Sequence, residues 1–171
     1  MRPAVLDDIA AIQAIYAHHV LNGLASFEEQ PPGADELRRR YDEVTSRGLP
    51  YLVADFAGTV AGYGYCSPYR SRSAYRYVLE DSVYVRADMQ GRGVGAALLG
   101  ELIRRCEELD YRQLIAVIGD SANTASIALH ASLGFLRVGT LRSAGFKLGR
   151  WVDSVLMQRP LGRGDASPPV K

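Results

Sequence analysis

Residues 90–96 read QGRGVGA, three glycines separated by single residues. They follow the apolar run SVYV (82–85) and lead into AALLGELIRRC (96–106), a strand-like stretch and a helix-like one. Backbone that bare at the mouth of a helix has a physical use. Successive N–H groups at a helix N-terminus bind phosphate oxygens, and glycine removes the Cβ that would hold a pyrophosphate away. Arg92 adds positive charge beside the loop. The same glycines would also serve a turn made only for tight strand-to-helix packing; three in alternation, with Arg92, favour phosphate. A Walker A loop is excluded, because no Gly-Lys-Ser/Thr closes the stretch. Gly91-x-Gly93-x-x-Ala96 matches the dinucleotide fingerprint formally. That fingerprint belongs to a first strand–helix unit, with an acidic residue ending the next strand. Here the loop lies mid-chain after hairpin-like strands, and the following strand ends at Gly119-Asp120.

Length and composition frame the loop. The chain has 171 residues, enough for one domain with a sizeable core. It is 47% hydrophobic and 23% charged, as soluble globular proteins are. A net charge of +1 gives no global field for nucleic acid, and Arg38–Arg40 reads as one turn of a solvated helix. Asp7 and Asp8 interrupt any apolar leader, and no apolar run approaches the ~20 residues of a membrane span. Cys66 and Cys106 read as reduced thiols of a cytoplasmic protein. His18, His19 and His130 have no partners at metal-ligand spacing, so no metal is expected.

Apolar residues Ile9, Ile12, Ile15, Tyr16 and Val20 recur with helical period, predicting a helix over 7–21 with Asp7 or Asp8 as N-cap. Pro31-Pro32 makes 26–33 a loop, and 34–48 reads as a second helix ending at Gly48. Strands follow at 51–56 and 58–67, joined at Ala57-Gly58, and a third at 78–86 after the polar, aromatic loop 68–77. Beyond the glycine loop come a helix (93–109), a buried strand (112–119), a short helix (123–134) and strands at 135–141 and 154–161. The order predicts an α+β domain over residues 1–161, a mixed sheet with helices on both faces. The tail 162–171 has the composition of a disordered end.

Two motifs together carry a resemblance. VYVRADMQGRGVGAALL resembles the acetyl-CoA signature of the GCN5-related N-acetyltransferase (GNAT) superfamily, with Gln90, Gly93 and Gly95 at the signature positions. About thirty residues on, NTASIALHASLGF (123–135) is similar to that superfamily's second signature. SFEEQPP, PYRSRSAY, EDSVYV and GTLRSAGFKLGRWVDSVLMQRPL narrow the similarity to the phosphinothricin and methionine sulfoximine N-acetyltransferase branch, from about residue 5 to 161. The loop GDSANTAS leans toward the methionine sulfone/sulfoximine members.

The resemblance implies the GNAT fold, a twisted, mostly antiparallel mixed sheet. It implies acetyl-CoA as cosubstrate, a small amino-acid acceptor attacked at its α-amine, and a homodimer. The stretch Gln90, Gly91, Arg92, Gly93, Val94, Gly95 and Ala96 is then the pyrophosphate cradle. Val83, Tyr84 and Val85 lie on the strand whose freed main chain binds pantetheine, one N–H facing the thioester carbonyl. Asn123 and Ser126 suit capping of their helix, and the resemblance adds a cofactor contact for the asparagine. Acetyl transfer also needs the amine deprotonated and the leaving thiolate stabilised. A strand glutamate, Glu80, reads equally as a base or an arginine's partner; the resemblance implies the base, improved if burial raises its pKa. By the same resemblance His130 replaces the common tyrosine near the sulfur, as a hydrogen-bond donor. For the acceptor, Arg72 would grip a carboxylate or phosphinate, Tyr75 would add a hydroxyl and Phe27 an apolar wall. Trp151 and Asp153 resemble a feature near the dimer interface and acceptor site, or else a buried Trp anchors the last strand.

Two alternatives stay open: transfer to a protein N-terminus or other amine, and a non-catalytic acyl-CoA-binding module. An arginine-rich loop disfavours a polyamine, and the presence of both Glu80 and His130 weighs against a module without chemistry.

Overall fold

The computed structural model describes residues 1–169. Seven strands form one sheet: β1 (Arg2–Pro3), β2 (Tyr51–Phe56), β3 (Thr59–Pro68), β4 (Val78–Val85), β5 (Gln113–Gly119), β6 (Leu136–Lys147) and β7 (Arg150–Pro160). Their order is β1-β2-β3-β4-β5-β7-β6. Only β4 and β5 run parallel; every other neighbouring pair is antiparallel. Among the described residues four α-helices flank the sheet: α1 (Ile9–Asn22), α2 (Ala34–Ser46), α3 (Val94–Glu108) and α4 (Thr124–Ser132).

Alternation along β3 shows how helices cover both faces, since successive side chains of a strand point to opposite sides. Tyr63 and Tyr65 face one side, where they stack with Tyr51, and Tyr63 also with Tyr84. Tyr84 meets Tyr16 of α1 edge-on, and Tyr51 meets Tyr41 of α2. Gly62 and Gly64 face the other side, against Leu98 and Leu102 of α3. Leu98, Leu99 and Leu102 are completely buried there, each contributing about 1.5–3 kcal/mol of transfer free energy.

Most elements form where the hydrophobic period predicts them. The five apolar residues of α1 named above are all buried. Asp8 starts that helix without capping it, because its carboxylate is held by the Arg2 guanidinium and the Val5 N–H. The last two strands differ. They run to Lys147 and from Arg150, a long hairpin closed at Leu148-Gly149, both with positive φ. Alternation breaks down in SAG (143–145) because the register slips between Leu141 and Gly145, a bulge with Ser143 at φ 49°. Trp151 is exposed and packs on Phe146 instead of anchoring a core. The stretch 162–169, expected as disordered, forms turns, with Gly164 N donating to Leu161 O and Arg112 Nη2 to Pro168 O. Residues 170–171 of that tail lie outside the described residues.

Candidate active site

The parallel pair β4–β5 is short. Its register covers Val78–Asp81 against Gln113–Ala116 and ends there. Ser82–Val85 keep their β3 partners but have none on β5, so the two strands splay and open a wedge. Two cavities meet in it. One, of about 510 Å³, runs along Val83–Val85, the glycine loop and the start of α4. The other, of about 540 Å³, holds Glu28, Glu80, Asp81 and His130. Ala25, Val83, Tyr84, Asn123 and Ser126 line both, which joins them into one tunnel.

The first cavity has the construction a pyrophosphate needs. Gly91 and Gly93 take φ of 71° and 78°, a region that favours glycine. A Cβ at either would point into open space. Gly93 is the N-cap of α3, and the first-turn N–H groups of a helix have no partners within it. All the expected cofactor residues line this cavity except Arg92, which is exposed beside the loop. Asn123 caps α4, accepting from Ser126 N at 3.2 Å. The free backbone of β4 and this cradle fit a phosphorylated, amide-containing cofactor.

His19, to which the sequence reading attached no role, also lines this cavity. Its Nε2–H donates to Val85 O at 2.8 Å. The carbonyl of Val85 is therefore already engaged from the α1 side, and the free backbone of the wedge begins further down the strand. Burial lowers the His19 pKa, partly offset by that hydrogen bond, so the ring is neutral and donates from Nε2.

Glu80 projects from the α1 face of β4, opposite Ser67. Burial is the main force raising its pKa to about 7; the negative charge of Asp81 adds to this and Arg70 opposes it. A carboxyl poised there exchanges protons near neutral pH. Asp81 projects to the opposite face, as Cys66 beside it does toward α3. Its Oδ2 is 3.0 Å from His130 Nε2, and both side chains are buried. His130 Nδ1 lies 2.7 Å from Ser126 O. A backbone carbonyl only accepts, so Nδ1 carries hydrogen, and Nε2 carries the proton that pairs with Asp81. Burial alone would lower the His130 pKa, but Asp81 and Ser126 O outweigh it and the net shift is upward.

This corrects the role expected for His130: both its N–H groups are committed, leaving none for a sulfur. The pair instead links α4 to Asp81, the last β4 residue in register with β5, and so fixes the apex of the wedge. Asp81 Oδ1 has no partner among the described residues.

The acceptor residues divide. Phe27 lines the Glu80 cavity, 41% exposed. Arg72 does not; it lines a neighbouring cavity of about 690 Å³ with Arg40, Arg47, Arg70 and Arg76. Tyr75 lines neither and packs edge-on against Tyr69. Tyr65 borders both cavities and stands between that of Arg72 and that of Glu80. Sequence reasoning missed Glu28, Tyr16 and Tyr65 on this side. Glu28 accepts from Tyr16 Oη at 3.0 Å and Arg40 Nη1 at 2.6 Å. Glu28 belongs to the segment of Phe27, Tyr16 to the α1 stripe and Tyr65 to the strand at 59–68.

Among the described residues no group of three or more His, Cys, Asp or Glu side chains gathers to hold a metal, and no helix is long and apolar enough to cross a membrane.

Comparison with known proteins agrees with this geometry. The model of the acetyltransferase (GNAT) family matches residues 13–135. The chain is 59% identical to the phosphinothricin N-acetyltransferase of Alcaligenes faecalis, over 95% of this chain and 83% of that one. It is 38% identical to the L-methionine sulfoximine/L-methionine sulfone acetyltransferase of Pseudomonas aeruginosa, over 98% of each. The crystal structure of a GNAT superfamily phosphinothricin acetyltransferase from Sinorhizobium meliloti in complex with AcCoA superposes with a TM-score of 0.96 at 48% identity, covering 99% of this chain and 92% of that one.

Proposed function

The chain belongs to the GNAT acetyltransferase family, and from that premise we propose that it acetylates the α-amine of a small amino acid or analogue of the phosphinothricin or methionine sulfoximine type. Acetyl-CoA supplies the activated acyl group as a thioester. Transfer is direct, with both substrates bound in the tunnel.

The observation that carries this reading is the pairing of cavities around Glu80. On one side the glycine cradle and the splayed strand suit the cofactor. On the other, an acidic cavity with Glu80 and Glu28 borders an arginine-lined one across Tyr65. That sequence of charges complements a molecule with an ammonium at one end and a carboxylate or phosphinate at the other. Arg70 and Arg72, which line the second of these cavities, are the groups for the anionic end. Phe27 forms the apolar wall between.

Each residue has a defined task. Glu80 takes the ammonium proton, directly or through water, and its raised pKa suits that exchange at neutral pH. Val83, Tyr84 and the loop Gln90–Ala96 orient the cofactor by main-chain groups. Asn123 and Ser126, at the junction of the cavities, align the start of α4. His130 and Asp81 hold the wedge open at a fixed angle. The exposed apolar side chains of the β6–β7 hairpin, Leu136, Val138, Leu141, Phe146 and Trp151, support a homodimer through that edge. Two unbridged buried thiols, Cys66 and Cys106, suit a cytoplasmic setting.

The test is CoA release from acetyl-CoA, followed with a thiol reagent. The acceptors are phosphinothricin, methionine sulfoximine, methionine sulfone, ordinary amino acids, spermidine and a short peptide. Saturable turnover with one of the first three is expected. Turnover with the peptide alone would overturn the acceptor class and keep the chemistry.

A further inference from the structure

The wall that Phe27 presents to the acceptor is held in part by strands far along the chain. Residues 24–28 connect α1 to the proline loop and have no regular structure. Tyr16 bonds Ser26 and Glu28, Arg40 bonds Glu28, and three further contacts come from later in the chain. Gly119, at the end of β5, lies so close beneath them that a Cβ there would be 2.2 Å from Leu24 O. Lys147 of β6, itself buried, donates from Nζ to Ser26 O at 2.7 Å. Gly145 of β6 lies against the Phe27 ring; a Cβ built on it would be 2.7 Å from both Cδ2 and Cε2.

The bulge in β6 brings Gly145 and Lys147 to these places. Asp153 holds it, accepting from Ser143 N at 2.9 Å and from Ser121 Oγ at 2.7 Å. The fold thus uses a shifted register on its outermost strand to carry a bare Cα under an aromatic ring 118 positions earlier in the chain (145 − 27).

We propose that Gly145 is a specificity-determining residue: the absence of its side chain sets how far the Phe27 ring stands back from the acceptor cavity, while Lys147 fixes the backbone that carries the ring. This rests on the acetyl-transfer reading for the identity of the acceptor. Carbon atoms in contact stand about 3.5–4.0 Å apart, so a methyl group at Gly145 must push the ring by about an ångström. A shift of that size at a substrate wall can cost up to about 10²-fold. Neither Gly145 nor Phe27 lines the glycine-loop cavity, so cofactor binding stays outside the effect.

The experiment is a double-mutant cycle with Gly145→Ala, Phe27→Ala and the pair, read in two ways. Steady-state kinetics with phosphinothricin and methionine sulfone give KM for acceptor and for acetyl-CoA separately. Gly145→Ala is expected to raise acceptor KM about tenfold, unequally for the two acceptors, and to leave acetyl-CoA KM within about twofold. In the Phe27→Ala background the same substitution is expected to add less than about twofold, because the ring it displaces is gone. Thermal unfolding gives the second reading: Gly145→Ala lowers the midpoint in the wild-type background and not in Phe27→Ala. Where Gly145→Ala fails to fold, Lys147→Met replaces it, keeping the buried stem and losing the bond to Ser26, with acceptor KM up about fivefold. Equal effects in both backgrounds, or equal rises for acceptor and acetyl-CoA, overturn the proposal. Should the wild-type chain turn over no acceptor, the functional reading and the acceptor role fall together. The melting cycle needs no substrate and still decides whether Gly145 seats the ring.

Discussion

The two halves of the tunnel are built on different plans. The cofactor half comes mainly from β4, the loop 86–93, the start of α3 and α4, with His19 and Ala25 added from the first helix and the segment after it. It recognises with main chain, so its requirements are glycines, a helix N-terminus and an interrupted strand pairing. The acceptor half draws side chains from α1, the segment 25–28, β3, β4 and β5. Charge and shape do the recognition there. A main-chain site tolerates changes of side chain but not of backbone conformation, and a side-chain site does the reverse. Substitutions should therefore separate cleanly into those that affect one substrate and those that affect the other.

The largest effect is expected where the halves join. Glu80→Gln removes the proton acceptor and should lower kcat about 10²–10³-fold, with CoA affinity by calorimetry almost unchanged. A matching stability effect follows from linkage. The carboxyl has a folded pKa of about 7, above its ordinary 4.5. Its contribution to stability is present at acid pH and lost as pH rises from 4.5 through 7. Glu80→Gln should therefore raise the melting midpoint at pH 8 relative to wild type and change it little at pH 4.

Next is the apex of the wedge. Asp81→Ala leaves His130 buried without its counter-charge and should cost about 3 kcal/mol in denaturant unfolding at neutral pH. The His130 pKa is raised in the folded state, so the stabilisation is full below its ordinary value and declines as pH climbs past the raised one. The gap between wild type and variant should narrow in alkaline buffer.

A smaller, one-sided effect belongs to Gly93. Alanine there must adopt a φ of 78°, costing about 1–2 kcal/mol. Acetyl-CoA KM should rise about tenfold, with acceptor KM unmoved. Equal changes in both constants would break the division into halves. Smallest is Arg72→Ala. It should raise KM only for acceptors with an anionic group, and by severalfold, because Arg72 is exposed and shares its cavity with Arg70.

The same division explains what could be read from the chain beforehand. β4, α3 and the loop between them were legible because their chemistry is local: QGRGVGA needs no distant partner to show a bare helix mouth. Five apolar positions in α1 specified its buried face for the same reason. His130 was legible as a site residue, but its state was not, since that depends on Asp81 of another element 49 positions away. Arg72 and Tyr75 were assigned from their own loop, and a loop without a period gives no sign of which cavity a side chain lines. The β6 bulge erased the alternation that marks a strand, which hid both the length of the final hairpin and the seat beneath Phe27. Exposed Trp151 followed from that hidden length.

The most direct test of the account is the pH dependence of kcat/KM for the acceptor at saturating acetyl-CoA, in wild type and Glu80→Gln. Wild-type activity should climb with pH through about 7, the pKa of Glu80, and the variant should be slow and lack this limb. A wild-type limb that persists unchanged in Glu80→Gln would contradict it, and would assign the proton to another group.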